Sequence, residues 1–243
     1  MVEHGHGPAL VVVPGLPGPW KFVAPAVHAL SAHFHVLAMS LGRECELDAE
    51  ARRIRSALDE RHIDRAVICG ISFGGLIAAR FAAAYPARTA ALVLVSAPGP
   101  GAQLRAHHRL YLRCPLLLGP LFMLETPFRL WRELHWSQLV AVLSSRISFS
   151  SMARRARLIE STDIAADCKS ISAPTLVVTG EPRFDAVVPV ENTREYLRAI
   201  PGSQQAVITG TGHLGAITHA KEFAEIVRAF VERRVHSREH HVA

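Results

Sequence analysis

The stretch RAVICGISFGGLIAARFAAA, residues 65–84, decides the reading of this chain. After Arg65 its opening is apolar and β-branched, as in a strand buried on both faces of a parallel sheet. Its end, Leu76–Ala84, is alanine-rich and stops at Tyr85-Pro86, as a helix does. Between the two stands Gly70-Ile71-Ser72-Phe73-Gly74, a match to G-x-S-x-G. A serine on so tight a strand-to-helix turn is held strained, with its Oγ presented above the sheet. The residues two before and two after it must be small to let the chain pass. The pattern alone is weak; the strand before it and the helix after it make it specific.

Working outward, similar short apolar runs recur at Ala9–Val13, His35–Met39, Ala91–Val95, Thr175–Thr179 and Gln205–Thr209. Helical spacing appears at Leu47–Arg61, where Leu47, Ala51, Ile54 and Leu58 share a face. It appears again at Thr193–Ala199 and at Lys221–Arg233, the latter with Phe223, Ile226, Val227 and Phe230. Alternating strands and helices predict an α/β fold with a mostly parallel sheet of about six strands flanked by helices. Residues 101–172 break the alternation. They carry no strand-like run, are rich in Leu, Arg, Trp and Phe, and lie between Pro98-Gly99-Pro100-Gly101 and Ala173-Pro174. The expectation is a core of residues 1–100 and 173–243 with a helical insertion of residues 101–172 between two core strands.

A length of 243 residues suits one domain with an insertion. The cysteines Cys45, Cys69, Cys114 and Cys168 form neither a CxxC pair nor a zinc spacing, which fits a reducing compartment. Residues 101–160 hold nine arginines against three glutamates, which accounts for the whole net charge of +6. No nucleic-acid motif accompanies that charge, so nucleic acid is not expected as a partner. A solvated basic face or a rim that attracts anions remains. The most lipid-like run, Cys114–Leu124, has 11 residues broken by Pro115, Gly119 and Pro120. A spanning helix needs about 20. With no signal-peptide pattern at the N-terminus, a soluble cytoplasmic protein is expected.

A serine nucleophile needs a base, and the base needs an orienting acid. Among 14 histidines, His213 stands just past the last core strand, in Gly210-Thr211-Gly212-His213, where a loop reaches the sheet edge that binds ligands. The surrounding GTGHLG is also literally G-x-G-x-x-G, but too few residues follow it for a βαβ unit, so no dinucleotide is expected there. Asp185 alone among the six aspartates follows a core strand and precedes His213; Glu181, four residues earlier, competes for the role. Pro14-Gly15-Leu16-Pro17-Gly18 follows the first strand and can aim a backbone N–H above Ser72. The expected oxyanion donors are the N–H groups of Leu16 and Phe73.

The order of these elements resembles that of the α/β-hydrolase superfamily. The resemblance rests on GISFG at 70–74, GEPRFDAVVP at 180–189 and GTGHLG at 210–215, and runs over about Ala9 to Val231. It implies a Ser72/Asp185/His213 hydrolase without metal or organic cofactor, and it places the insertion where that family carries a cap. Two departures stand out. The family usually begins with an antiparallel hairpin, and only eight residues precede Ala9, so no such strand is expected. The common His-Gly of the oxyanion loop is Pro14-Gly15, which removes a side chain that often braces it.

The expected chemistry is acyl transfer from a small-molecule ester or thioester with an apolar acyl group. Leu121, Phe122, Trp131 and Trp136 are the candidate substrate-binding residues, with Leu116, Leu117 and Leu118 beside them; the arginines would suit an anionic handle. The alternatives are a lyase or peroxidase-like activity on the same scaffold and a non-catalytic small-molecule-binding protein. Haloalkane dehalogenation is disfavoured, since it uses a carboxylate nucleophile where this chain has Ser72. A homodimer through the apolar cap is left open.

Overall fold

The β-branched runs pair into one seven-stranded sheet. The computed structural model describes residues 1–43, 46–104, 106–118, 148–185 and 187–239. The strands are β1 (Val2–His4), β2 (Ala9–Val13), β3 (His35–Ala38), β4 (Ala66–Ile71), β5 (Thr89–Val95), β6 (Thr175–Thr179) and β7 (Gln204–Val207). They lie in the order β1-β3-β2-β4-β5-β6-β7. All neighbours from β3 to β7 are parallel. The register sets Val13 opposite Gly70 and Ile71 opposite Val95, so β2, β4 and β5 end at one level. Between β2 and β4 the strand order reverses, which opens a crevice beyond their carboxyl ends.

Period-two alternation sends strand side chains to two apolar layers. Val11, Val13, Ile68 and Leu94 meet α2 (Leu47–Asp59) and α3 (Gly74–Ala84) on one face. Leu10, Val12, Cys69 and Val93 meet α1 (Ala24–Leu30) on the other. Between β5 and β6 lie α4 (Ala106–Arg113), α5 (Phe149–Ser161) and α6 (Ile164–Ser170), all within the segment expected to form the insertion. Ile164 and Cys168 of α6 are buried in the same layer as α3. Arg80 of α3 ties that layer together, bonding Asp167 of α6 at 2.6 Å and Asp48 of α2 at 2.6 Å. The remaining helices are α7 (Val190–Ala199), α8 (Gly215–Thr218) and α9 (Ala220–Glu239); Phe223, Val227 and Phe230 of α9 pack beside α1. Among the described residues no helix is long and apolar enough to cross a membrane.

The sheet has one strand more than the apolar runs predict. β1 pairs antiparallel with β3, Val2 opposite Ala38 and His4 opposite Val36, so an antiparallel edge strand does precede Ala9 in shortened form. Three residues with a charge in the middle carry no alternation to read. Side chains fix the strand instead: Glu3 accepts from Arg61 Nε at 2.8 Å and lies 3.0 Å from His35 Nε2. The bond from Arg61, then that from His35, holds the Glu3 carboxyl below the usual carboxylate range. A depressed carboxylate contributes stability above its unfolded pKa and loses it as pH falls through the folded value. Protection of the β1 amides, measured by hydrogen exchange, should therefore fall more than that of β2 as pH drops from neutral into the acid range. In Glu3→Gln the β1 amides should be poorly protected throughout; equal protection in both proteins would contradict this anchoring.

Candidate active site

Four loops converge where β2, β4, β6 and β7 end. Ser72 follows β4 and precedes α3, and among the described residues it is one of three non-glycine residues with positive φ, at 54°. That conformation is strained for a serine, and the surrounding backbone holds it. Ser72 N–H donates to Val95 O at 2.8 Å, and Gly75 N–H donates to Ser72 O at 2.8 Å. The turn closes only because its flanks are bare. A Cβ on Gly70 would collide with the Gly74 carbonyl, and a Cβ on Gly74 with the carbonyls of Val13 and Pro14.

His213 lies between β7 and α8, with its Nε2 3.0 Å from Ser72 Oγ. Asp185 lies between β6 and α7, with its Oδ2 3.3 Å from His213 Nδ1. Both are buried, at 8% and 7% exposure, so the contact between them is shielded from bulk water, while that to Ser72 is part-buried. A carboxylate only accepts hydrogen bonds, so Nδ1 carries the proton and Nε2 presents its lone pair to the Ser72 hydroxyl. Oδ1 of Asp185 accepts from the N–H groups of Val187 and Val188, each at 3.0 Å, which leaves Oδ2 for the histidine. The three residues that sequence order selected thus form one continuous Ser–His–Asp array.

Glu181 has a different place from its sequence competitor. Its Oε1 accepts from Gly210 N–H at 2.7 Å, while its own N–H donates to Thr211 O at 2.7 Å. It therefore links the Asp185 loop to the His213 loop. The Gly210 bond holds its carboxyl below the usual range. Cys69, three residues before Ser72, is no rival nucleophile: burial pushes its thiol up to about 12, so it stays protonated.

The loop after β2 packs directly on the serine. A Cβ built on Gly15 would sit 3.3 Å from Ser72 Cβ and 3.7 Å from Oγ, so the Gly15–Leu16 peptide borders Ser72. Phe73 is fully buried and leads into α3, where the helix terminus favours developing negative charge. Beside Leu16 lies a small cavity of about 30 Å³ walled by Tyr111, Pro115, Phe149, Met152 and Ala156. A second, of about 220 Å³, is lined by Pro98, Leu104, Ile159, Val187 and Val188. Leu116 and Leu117 are exposed at 79% and 76%. Leu121, Phe122, Trp131 and Trp136 lie outside the described residues.

Sequence reasoning missed Arg155. This buried side chain of α5 donates to Leu16 O at 2.6 Å and to Gly42 O at 2.7 Å. Its partners are 139 and 113 positions away, so no local pattern could reveal it. Neighbouring arginines also bond within the protein: Arg109 to Glu160, Arg154 to Arg43 O and Arg157 to Leu112 O.

Comparison with known proteins bears on the family and the fold. A 2-hydroxy-6-oxononadienedioate/2-hydroxy-6-oxononatrienedioate hydrolase of Cupriavidus pinatubonensis is 29% identical over 95% of this chain and 78% of its own. A Pseudomonas syringae protein provisionally named a carbamate hydrolase is 24% identical over 94% of this chain and 95% of its own. The crystal structure of the enol-lactonase from Burkholderia xenovorans superimposes with a TM-score of 0.79 at 21% identity, covering 95% of each chain; at that identity the likeness concerns the fold. A model of the alpha/beta hydrolase family matches residues 10–226, and with that match over most of its length the chain belongs to the alpha/beta hydrolase family.

Proposed function

We propose that this chain is a serine hydrolase that cleaves a carboxylic ester or thioester of an apolar acyl group through an acyl-enzyme. The observation that carries the reading is the continuous contact Ser72 Oγ–His213 Nε2–His213 Nδ1–Asp185 Oδ2, at 3.0 and 3.3 Å, at the sheet edge. His213 takes the Ser72 proton as Oγ attacks the carbonyl carbon. The N–H groups of Leu16 and Phe73 receive the oxyanion. His213 then hands the proton to the departing alcohol or thiol, and water repeats the cycle to release the acid. Asp185 keeps the imidazole in its tautomer and stabilises the imidazolium. Residues 101–172 act as the cap over this site.

Apolar walls near the site support the preference for an apolar acyl group. The cavities beside Leu16 and beside Val187 are lined mostly by apolar side chains. Arg109, Arg154, Arg155 and Arg157 direct hydrogen bonds to Glu160 or to backbone carbonyls, which argues against those four as a handle for an anionic substrate. The second reading, hydrolysis of a 2-hydroxy-6-oxodienedioate, draws on the name of the Cupriavidus relative.

A substrate panel separates the two. 4-Nitrophenyl butyrate and a butyryl thioester should turn over in a Ser72-dependent manner. Their kcat/KM should exceed that of the corresponding hemisuccinate by about tenfold, a difference of about 1.4 kcal/mol. Turnover confined to a 2-hydroxy-6-oxodienoate would overturn the ester reading.

A further inference from the structure

We infer that Arg155 is a positioning residue for the oxyanion loop, taking over the bracing that Pro14 cannot provide. The inference rests on the proposed role of the Leu16 N–H. Pro14 lacks a hydrogen-bonding side chain, and the loop it opens must still hold one peptide N–H in a fixed direction over Ser72. The geometry around Leu16 shows how. Its preceding residue, Gly15, is packed on Ser72, as its Cβ position 3.3 Å from Ser72 Cβ records. Its own carbonyl accepts from Arg155 Nη1 at 2.6 Å. Leu16 is therefore held on both sides, and its N–H has little freedom to swing away from the nucleophile.

The guanidinium does this from a built seat. Arg155 is 3% exposed, and its second terminal nitrogen donates to Gly42 O at 2.7 Å. One planar fork thus joins the loop after β2 to the loop after β3, which a lysine's single ammonium cannot do with the same reach. Gly18 makes the space. A Cβ there would lie 2.7 Å from Arg155 Nη1 and 2.9 Å from Nη2, at a φ of 98°. The turn is closed beneath the fork by Gly18 N–H to Gly15 O at 3.0 Å and by Leu41 N–H to Gly18 O at 2.9 Å. Because Arg155 rides on α5, whose Met152 and Ala156 wall the cavity beside Leu16, it also ties the proposed cap to the catalytic edge.

The test compares wild type, Arg155→Met and Arg155→Lys in 4-nitrophenyl butyrate hydrolysis and in inhibition by an alkyl trifluoromethyl ketone. The ketone forms a hemiketal on Ser72 whose oxygen anion occupies the hole. Loss of one oxyanion donor costs about 10²–10³ in kcat, so a misdirected Leu16 N–H in Arg155→Met should lower kcat by about 10² while KM moves less than about threefold. The ketone inhibition constant should rise in parallel. Arg155→Lys, which keeps one bond, should fall between. Folding is checked by thermal melting; if Arg155→Met does not fold, Arg155→Lys decides on the same two readouts. Wild-type kcat and ketone affinity in a folded variant, or a loss carried by KM alone, would overturn the positioning role and leave the hydrolase reading standing. A wild-type protein with neither Ser72-dependent turnover nor ketone binding would overturn both.

Discussion

Ser72→Ala should lower turnover of 4-nitrophenyl butyrate by on the order of 10⁴-fold or more, with a melting temperature within a few degrees of wild type. The two halves of this expectation have separate causes. Catalysis collapses because Oγ is the atom that would bond to the substrate. Cys69 is buried with its thiol pushed up to about 12, and the side chain 3.0 Å from Ser72 Oγ is the base itself. Stability survives because what holds the turn is backbone. The bonds from Ser72 N–H to Val95 O and from Gly75 N–H to Ser72 O are untouched by removing the hydroxyl. Alanine inherits the same strained φ, so the strain cancels in the comparison. Residual activity of the variant reports what the oxyanion loop and substrate binding supply without a nucleophile. Retention of more than about a tenth of the wild-type rate would place the nucleophile elsewhere.

The second large effect is expected for His213→Gln. Without the imidazole, Ser72 keeps its proton at neutral pH and the leaving group receives none, so kcat should fall by at least about 10³-fold. This variant should also be less stable, unlike Ser72→Ala. Asp185 is 7% exposed and would lose the partner of Oδ2 while Oδ1 keeps the N–H groups of Val187 and Val188. An unpaired buried oxygen costs about 1–3 kcal/mol, which thermal or urea unfolding resolves. The acid limb of the pH–rate profile, where wild-type activity declines as the base becomes charged, should vanish from the residual activity. The double variant Ser72→Ala/His213→Gln should be no slower than the worse single variant, since the two residues act as one unit. Additive losses would mean that the 3.0 Å contact between them has no catalytic meaning.

What the sequence made legible was what local chemistry and chain order encode. GISFG announced its turn because only glycines let backbone pass at positions 70 and 74, and the collisions a Cβ would make there explain the need. Asp185 and His213 were legible because parallel strands deliver successive loops to one edge, so a single Asp and a single His in the right loops sufficed. β1 was not legible: three residues, Val-Glu-His, form a strand through the reach of Arg61 and His35 to Glu3 across the chain. Glu181 and Asp185 could not be ranked by spacing. The structure separates them by partner, one bonding Gly210 N–H and the other His213. Arg155 illustrates the same limit. A run of arginines reads as surface charge, yet this one is buried because two loop carbonyls more than a hundred residues away accept its protons.

The most direct test of an activated Ser72 is covalent labelling by an alkyl fluorophosphonate, read by peptide mass spectrometry on the folded protein. One adduct per chain is expected, on the peptide containing Ser72, absent from Ser72→Ala and formed far more slowly in His213→Gln. An adduct on another residue, or labelling at an equal rate with and without His213, would contradict it.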